Sequence, residues 1–137
     1  MTWERVPATK EYSERLLRIR LEHYVKFQFG VMAVLDTQGD LVGQAGLQVL
    51  EDPKLDRVEV VVFLKASVIG GGLGTTLCQY YIHEAEKCGL AYIYATVRPE
   101  NTAARKLVSK LGFILVDHIV HYGKYCDLWQ LRLSNRC

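Results

Sequence analysis

Long apolar runs are missing from this 137-residue chain, and no stretch approaches the ~20 residues of a membrane-crossing helix. The opening residues, MTWERVPATKEYSERLLR, lack the continuous apolar segment and small-residue cleavage site of a secretory leader. The expected location is therefore the cytoplasm, with no membrane partner. An excess of one charge is missing too. Seventeen Lys+Arg against fifteen Asp+Glu leave a net charge of +2, and no basic face is clustered as nucleic-acid binding requires. Cysteine is scarce and scattered: Cys78, Cys88, Cys126 and Cys137 form no C-x-x-C pair, and no histidine is spaced to complete a zinc site. They read as small apolar residues of a reducing compartment, with no metal expected. There is no internal repeat and no linker, so residues 1–137 are expected to form a single domain.

What is present is a run of well-punctuated elements. Residues 9–26 read as a helix, with Tyr12, Leu16, Ile19 and His23 along one row and Leu17, Leu21, Tyr24 and Val25 widening its apolar face. Val31–Leu35 and Leu41–Leu50 read as a hairpin around a turn at residues 37–40. A polar connection with Pro53 leads to residues 58–64, which are almost all apolar and β-branched, as in a strand buried on both faces. A glycine loop then opens a helix over residues 73–87, with Leu73, Leu77, Tyr81, Ala85 and Cys88 as its inner row and Gly89 as its stop. Residues 91–97 form another buried strand. Residues 102–110 form a helix closed by Gly112, and a last hairpin turns around Gly123 and Lys124. The order α-β-β-β-α-β-α-β-β implies an α/β (α+β) domain in which helices flank a central mixed sheet.

The segment Ile69-Gly70-Gly71-Gly72-Leu73-Gly74 joins a strand to a helix. That arrangement suits an anion, because the first helical turn has unpaired N–H groups and glycine lets a phosphate approach the backbone. Spacing excludes two users of this device. A P-loop needs Gly-Lys-Ser/Thr, but Gly74 is followed by Thr75 and Thr76. The dinucleotide pattern G-x-G-x-x-G ends on Thr75 or Leu77. What fits is Gly72-Leu73-Gly74 at the helix start; the plain alternative is a tight turn with close helix–sheet packing.

Taken with this loop, two further features resemble the GNAT acetyltransferase superfamily. Asn101-Thr-Ala-Ala-Arg-Lys-Leu-Val-Ser-Lys-Leu-Gly-Phe113 looks like its Asn-x-x-Ala/Ser…Lys-x-Gly-Phe helix. Glu59 stands thirteen positions ahead of Gly72, as in the ribosomal-protein N-acetyltransferase-like branch, whose strands also resemble residues 29–36 and 41–47. The similarity spans roughly residues 9–133. It implies that the strands at 58–64 and 91–97 splay apart around the pantetheine arm of acetyl-CoA. The backbones of Phe63, Leu64 and Lys65 would then meet the pantetheine. The loop from Ile69 through Gly70, Gly71, Gly72, Leu73 and Gly74 to Thr75 would hold the pyrophosphate. Ile69 replaces the usual Gln or Arg, which removes one polar contact. Asn101 reads as a helix N-cap and, by resemblance, as a cofactor contact.

The resemblance also implies chemistry. Glu59 is the candidate base for the acceptor amine, with pairing to Arg57 as its plain alternative, and a backbone N–H near Leu64 could stabilise the oxyanion. Many members carry a tyrosine acid where this chain has Val108; Tyr122, Tyr24 and Ser109 are possible substitutes. His23, His83, His118 and His121 read as structural or surface residues. The family begins with a strand and a helix for which residues 1–8 are too short, which would leave the strand at 31–35 as an exposed edge. A homodimer covering that edge is expected. Two functions follow: an N-acetyltransferase moving acetyl from acetyl-CoA to a primary amine such as a protein N-terminus, or a non-catalytic acyl-CoA-binding or interaction module.

Overall fold

The computed structural model describes residues 10–50, 57–121 and 123–134. Its elements run α1 (Lys10–Phe27), β1 (Val31–Leu35), β2 (Leu41–Leu50), β3 (Arg57–Leu64), α2 (Leu73–Lys87), β4 (Tyr92–Val97), α3 (Thr102–Lys110), β5 (Ile114–His121) and β6 (Lys124–Arg132), with one 3-10 turn at Ala66–Val68. This is the expected order. Residues 1–9, the connection containing Pro53, Tyr122 and residues 135–137 lie outside the described residues. No described helix is long and apolar enough to cross a membrane.

The six strands form one sheet in the order β1-β2-β3-β4-β6-β5. Every neighbouring pair is antiparallel except β3 and β4, which run parallel. Strand alternation sends Val58, Val60, Val62 and Leu64 to one face and Arg57, Glu59, Val61 and Phe63 to the other. The first set packs with Ala45, Leu47, Ile93, Ala95 and Val97 beneath Cys78 and Ala85 of α2 and Ala104 and Val108 of α3. The core therefore lies between the sheet and these two helices. On the second face α1 reaches β2 through Arg20 Nη2, which donates to Gln44 Oε1 at 3.2 Å.

The turns obey their residues. Asp36 Oδ1 accepts from the N–H groups of Gln38 and Asp40 at 2.9 Å each, which pins the β1–β2 turn. Gly46 on β2 allows an unusually close β1, since a Cβ there would stand 2.1 Å from the Gly30 carbonyl oxygen.

Two details of the expected packing are corrected. No described residue of α1 is fully buried; its inward row is Leu16, Arg20, His23 and Phe27, whereas Leu17, Ile19, Leu21 and Val25 are exposed. The apolar pattern of α1 is broad enough for two registers, and polar bonds from Arg20 and His23 to the sheet select the observed one. On α2, Cys88 is exposed and Cys78 takes the buried position. Among the histidines, read as structural or surface residues, His118 takes a structural place: its Nδ1 lies 2.7 Å from Oδ1 of the buried Asp127.

Candidate active site

The parallel join between β3 and β4 is short, with a single register pair, Glu59 opposite Tyr94. Antiparallel pairing fixes which backbone groups face that join. Lys65 N–H donates to Val42 O at 2.8 Å, and in an antiparallel ladder such bonds recur at alternate residues. Glu59, Val61, Phe63 and Lys65 thus turn their amides toward β2. Val58, Val60, Val62 and Leu64 turn theirs toward β4. Beyond Glu59–Tyr94 the ladder has ended, so the N–H and C=O of Val62 and Leu64 face a gap rather than a strand.

The three residues expected along the pantetheine differ in the side they face. Leu64 faces the gap. Phe63 faces β2, where a Cβ on Gly43 would come within 2.2 Å of its carbonyl oxygen. Lys65 also faces β2, and its carbonyl accepts from Val68 N–H at 3.1 Å. Val62 takes the second position facing the gap. The signal for this was the two-residue period of a strand, which cannot place Phe63, Leu64 and Lys65 on the same side.

At the open end of the gap stands the glycine loop. Gly70 and Gly72 adopt φ of 95° and 82°, a region that glycine enters without a Cβ penalty. Gly72 is the N-cap of α2 and supplies no side chain to its first turn. The first α2 bond is Thr76 N–H to Gly72 O at 3.1 Å, so Leu73, Gly74 and Thr75 keep amides without intrahelical acceptors. A Cβ built on Gly70 or Gly72 would touch nothing within 4 Å, so the loop is open on that side. Ile69 opens the loop. Its N–H already donates to Ala66 O at 3.3 Å, and its side chain is exposed. Asn101 caps α3, with Oδ1 accepting from Ala104 N–H at 3.1 Å. Leu107 of α3 stands close to this loop: a Cβ on Gly74 would lie 3.8 Å from its Cδ2.

Glu59 sits where the ladder ends and is only 3% exposed. Arg57 Nε donates to its Oε1 at 2.9 Å, and the Thr96 hydroxyl donates to the same oxygen. Both partners leave the face opposite α2 and α3. The pairing with Arg57 was foreseen as an alternative role; the bond from Thr96 was not. Tyr94 joins this face, its hydroxyl accepting from Gln130 Nε2 at 2.9 Å. A readable signal was the alternation Tyr92, Tyr94, Thr96 in an otherwise apolar strand.

Val108 is buried in the core and donates no proton. Ser109, on α3, lies across the sheet from Glu59, and Tyr24 packs at the C-terminal end of α1 beside Gly30. Cys78 is an unsuitable acid or nucleophile, because burial pushes its thiol up to about 11.

A family model described as the acetyltransferase (GNAT) family matches residues 1–113 of the chain. The L-methionine sulfoximine/L-methionine sulfone acetyltransferase of Salmonella typhimurium is 31% identical over 81 residues, which cover 56% of this chain and 47% of that protein. The match thus spans about half the length of this curated relative. A protein of Bordetella pertussis assigned to the GnaT family superposes with a TM-score of 0.81 at 21% identity, over 90% of this chain and 78% of its own. The phosphinothricin acetyltransferase of Sinorhizobium meliloti, solved with AcCoA, gives 0.73 at 20% identity, over 97% and 74%. At these identities the two structures speak for the fold.

Proposed function

The chain belongs to the acetyltransferase (GNAT) family, and from that premise we propose that it transfers the acetyl group of acetyl-CoA to a primary amine. The observation that carries this is the opening of the sheet: β3 and β4 pair only at Glu59–Tyr94, and the gap beyond leads to the uncapped first turn of α2. An extended amide chain would satisfy Val62 and Leu64 as an added strand does. The amides from Gly70 to Thr75 and the α2 dipole would hold the pyrophosphate. The amine acceptor is either an amino acid, as for the L-methionine sulfoximine/L-methionine sulfone acetyltransferase of Salmonella typhimurium, or a protein N-terminus, as the branch resemblance implies.

Each step needs little from side chains. An α-amine has a pKa of about 8, so Glu59, working through a water, removes its proton. The neutral nitrogen attacks the thioester carbon, and backbone N–H groups facing the gap receive the oxyanion. The nitrogen then gives its extra proton to water, the C–S bond breaks, and a thiol of pKa about 8.5 departs as thiolate, so no acid is required at Val108.

The test combines acetyl-CoA titration with CoA release against amines and N-terminal peptides. Glu59→Gln is expected to keep acetyl-CoA affinity within about threefold and to lose 10²–10⁴-fold in turnover, the usual range for a general base. Turnover unaffected by this change would remove Glu59 from the chemistry. One observation favours a second reading: Glu59 is buried and already bonded to Arg57 and Thr96. Tight acetyl-CoA binding with no turnover on any amine would make the protein an acyl-CoA-binding module. The reading includes a homodimer, supported by β1 standing at the sheet edge with Met32 and Leu35 exposed and no charge in its five residues.

A further inference from the structure

The face that carries Glu59 holds a second charged pair that the transfer chemistry leaves unused. Arg98 follows Thr96 by two residues as β4 ends, so it leaves the sheet on the same face. Its Nη2 donates to Glu100 Oε1 at 2.8 Å, with the arginine side chain 26% exposed and the glutamate 62%. On β6, Leu128 pairs with Thr96 and Asp127 with Val97, so Cys126 comes next beside the start of the Arg98 segment, and it is buried. Burial raises its thiol pKa, and the charged side chains it senses are Arg98, Glu100 and Glu59. Charged groups from β3, from the end of β4 and from the following turn thus act on one buried thiol.

The two pairs differ in how readily they exchange. Arg57 and Glu59 are 6% and 4% exposed, and removing either partner would strand a buried charge. Glu100 lies at the surface, where a counter-ion holds weakly. A carboxylate delivered beside Glu59 can take its place, and the guanidinium fork suits that shape.

We propose that Arg98 recognises the acceptor, and that the acceptor is an α-amino acid whose α-carboxylate replaces Glu100 on the Arg98 guanidinium while its amine faces Glu59. This rests on the acetyl-transfer reading above and narrows it. Thr96 and Arg98 are ~6.6 Å apart along the strand, enough for an amine, its α-carbon and the carboxylate. A peptide N-terminus carries an amide on that carbon, and a simple amine carries nothing. Neither can displace Glu100.

The test sets each of the twenty protein amino acids and L-methionine sulfone against its own carboxamide and a tripeptide beginning with the same residue. The preferred acid is expected to show a kcat/KM at least 30-fold above its carboxamide, mostly through KM. Arg98→Gln should cut that ratio below threefold, and Arg98→Lys should restore part of it. Equal use of acid and carboxamide by the wild type, preference for the peptide, or a ratio that survives Arg98→Gln overturns the proposal. Binding separates its fate from that of the acetyl-transfer reading. Calorimetry of the N-acetylated acids and carboxamides on the CoA-loaded protein should show the same Arg98-dependent preference. If that preference exists without turnover, only acetyl transfer fails. If no acid binds in preference to its carboxamide, the Arg98 assignment fails.

Discussion

His23 commits both ring nitrogens to the backbone. Nε2 accepts from Val49 N–H at 2.8 Å, which leaves Nδ1 as the protonated nitrogen facing Phe29 O at 3.1 Å. The ring must therefore be neutral, and desolvation, aided by the charges of Arg20 and Lys26, lowers its pKa. The unfolded side chain titrates near 6.5, so as pH falls the unfolded state takes up the proton first. This contribution to stability is full above about pH 6.5 and declines as pH falls toward the lower folded value. His23→Phe is expected to cost ~1–3 kcal/mol at pH 8, because Val49 N–H loses its acceptor, and to flatten the acid-side loss; urea midpoints at pH 8 and 5.5 check both. Arg57 acts on a larger scale. Arg57→Leu leaves Glu59 without its buried cation and should cost ~3–5 kcal/mol, read as a large fall in melting temperature. Neither role could be inferred from sequence spacing alone, since each depends on which backbone or side-chain group the fold brings alongside.

Within the strand–loop–helix element, the glycines divide into those set by backbone and those set by space. Gly72 needs φ of 82°, so Gly72→Ala is expected to cost ~1–2 kcal/mol and to weaken acetyl-CoA binding. Gly74 lies inside α2 with only ordinary contacts to Leu107 and Leu64 at 3.8 Å. Gly74→Ala should raise the stability of the ligand-free protein by up to ~1 kcal/mol. Thermal melts and acetyl-CoA titration of the two variants separate the roles. Most of this element was legible: periodicity and glycine punctuation place α2 at Leu73–Lys87, and Asn101 is the α3 cap that its position suggested. Less legible was the use of the backbone. The resemblance names a stretch of β3, but only the bond from Lys65 to Val42 shows that alternate residues face the gap. The inward side of α1 is hidden from the sequence for a related reason, since leucines occupy both of its apolar rows and polar bonds made at a distance choose between them.

At the scale of the whole molecule, the proposed dimer makes a direct prediction. Sedimentation at micromolar concentration should give twice the chain mass, and a lysine at Met32 or Leu35 should return it to the monomer by charging the edge. A wild type that sediments as a monomer throughout would dismiss the dimer. The sheet itself is two antiparallel triplets, β1-β2-β3 and β4-β6-β5, meeting at Glu59 and Tyr94. Each triplet is contiguous in sequence, with α2 following the first and α3 lying within the second. A chain severed at Gly89 would therefore yield two pieces that each hold a whole triplet and its helix. Such pieces are expected to recombine, and a ligand lying along the seam would draw them together, so that the severed protein becomes a reporter whose assembly reads out acetyl-CoA.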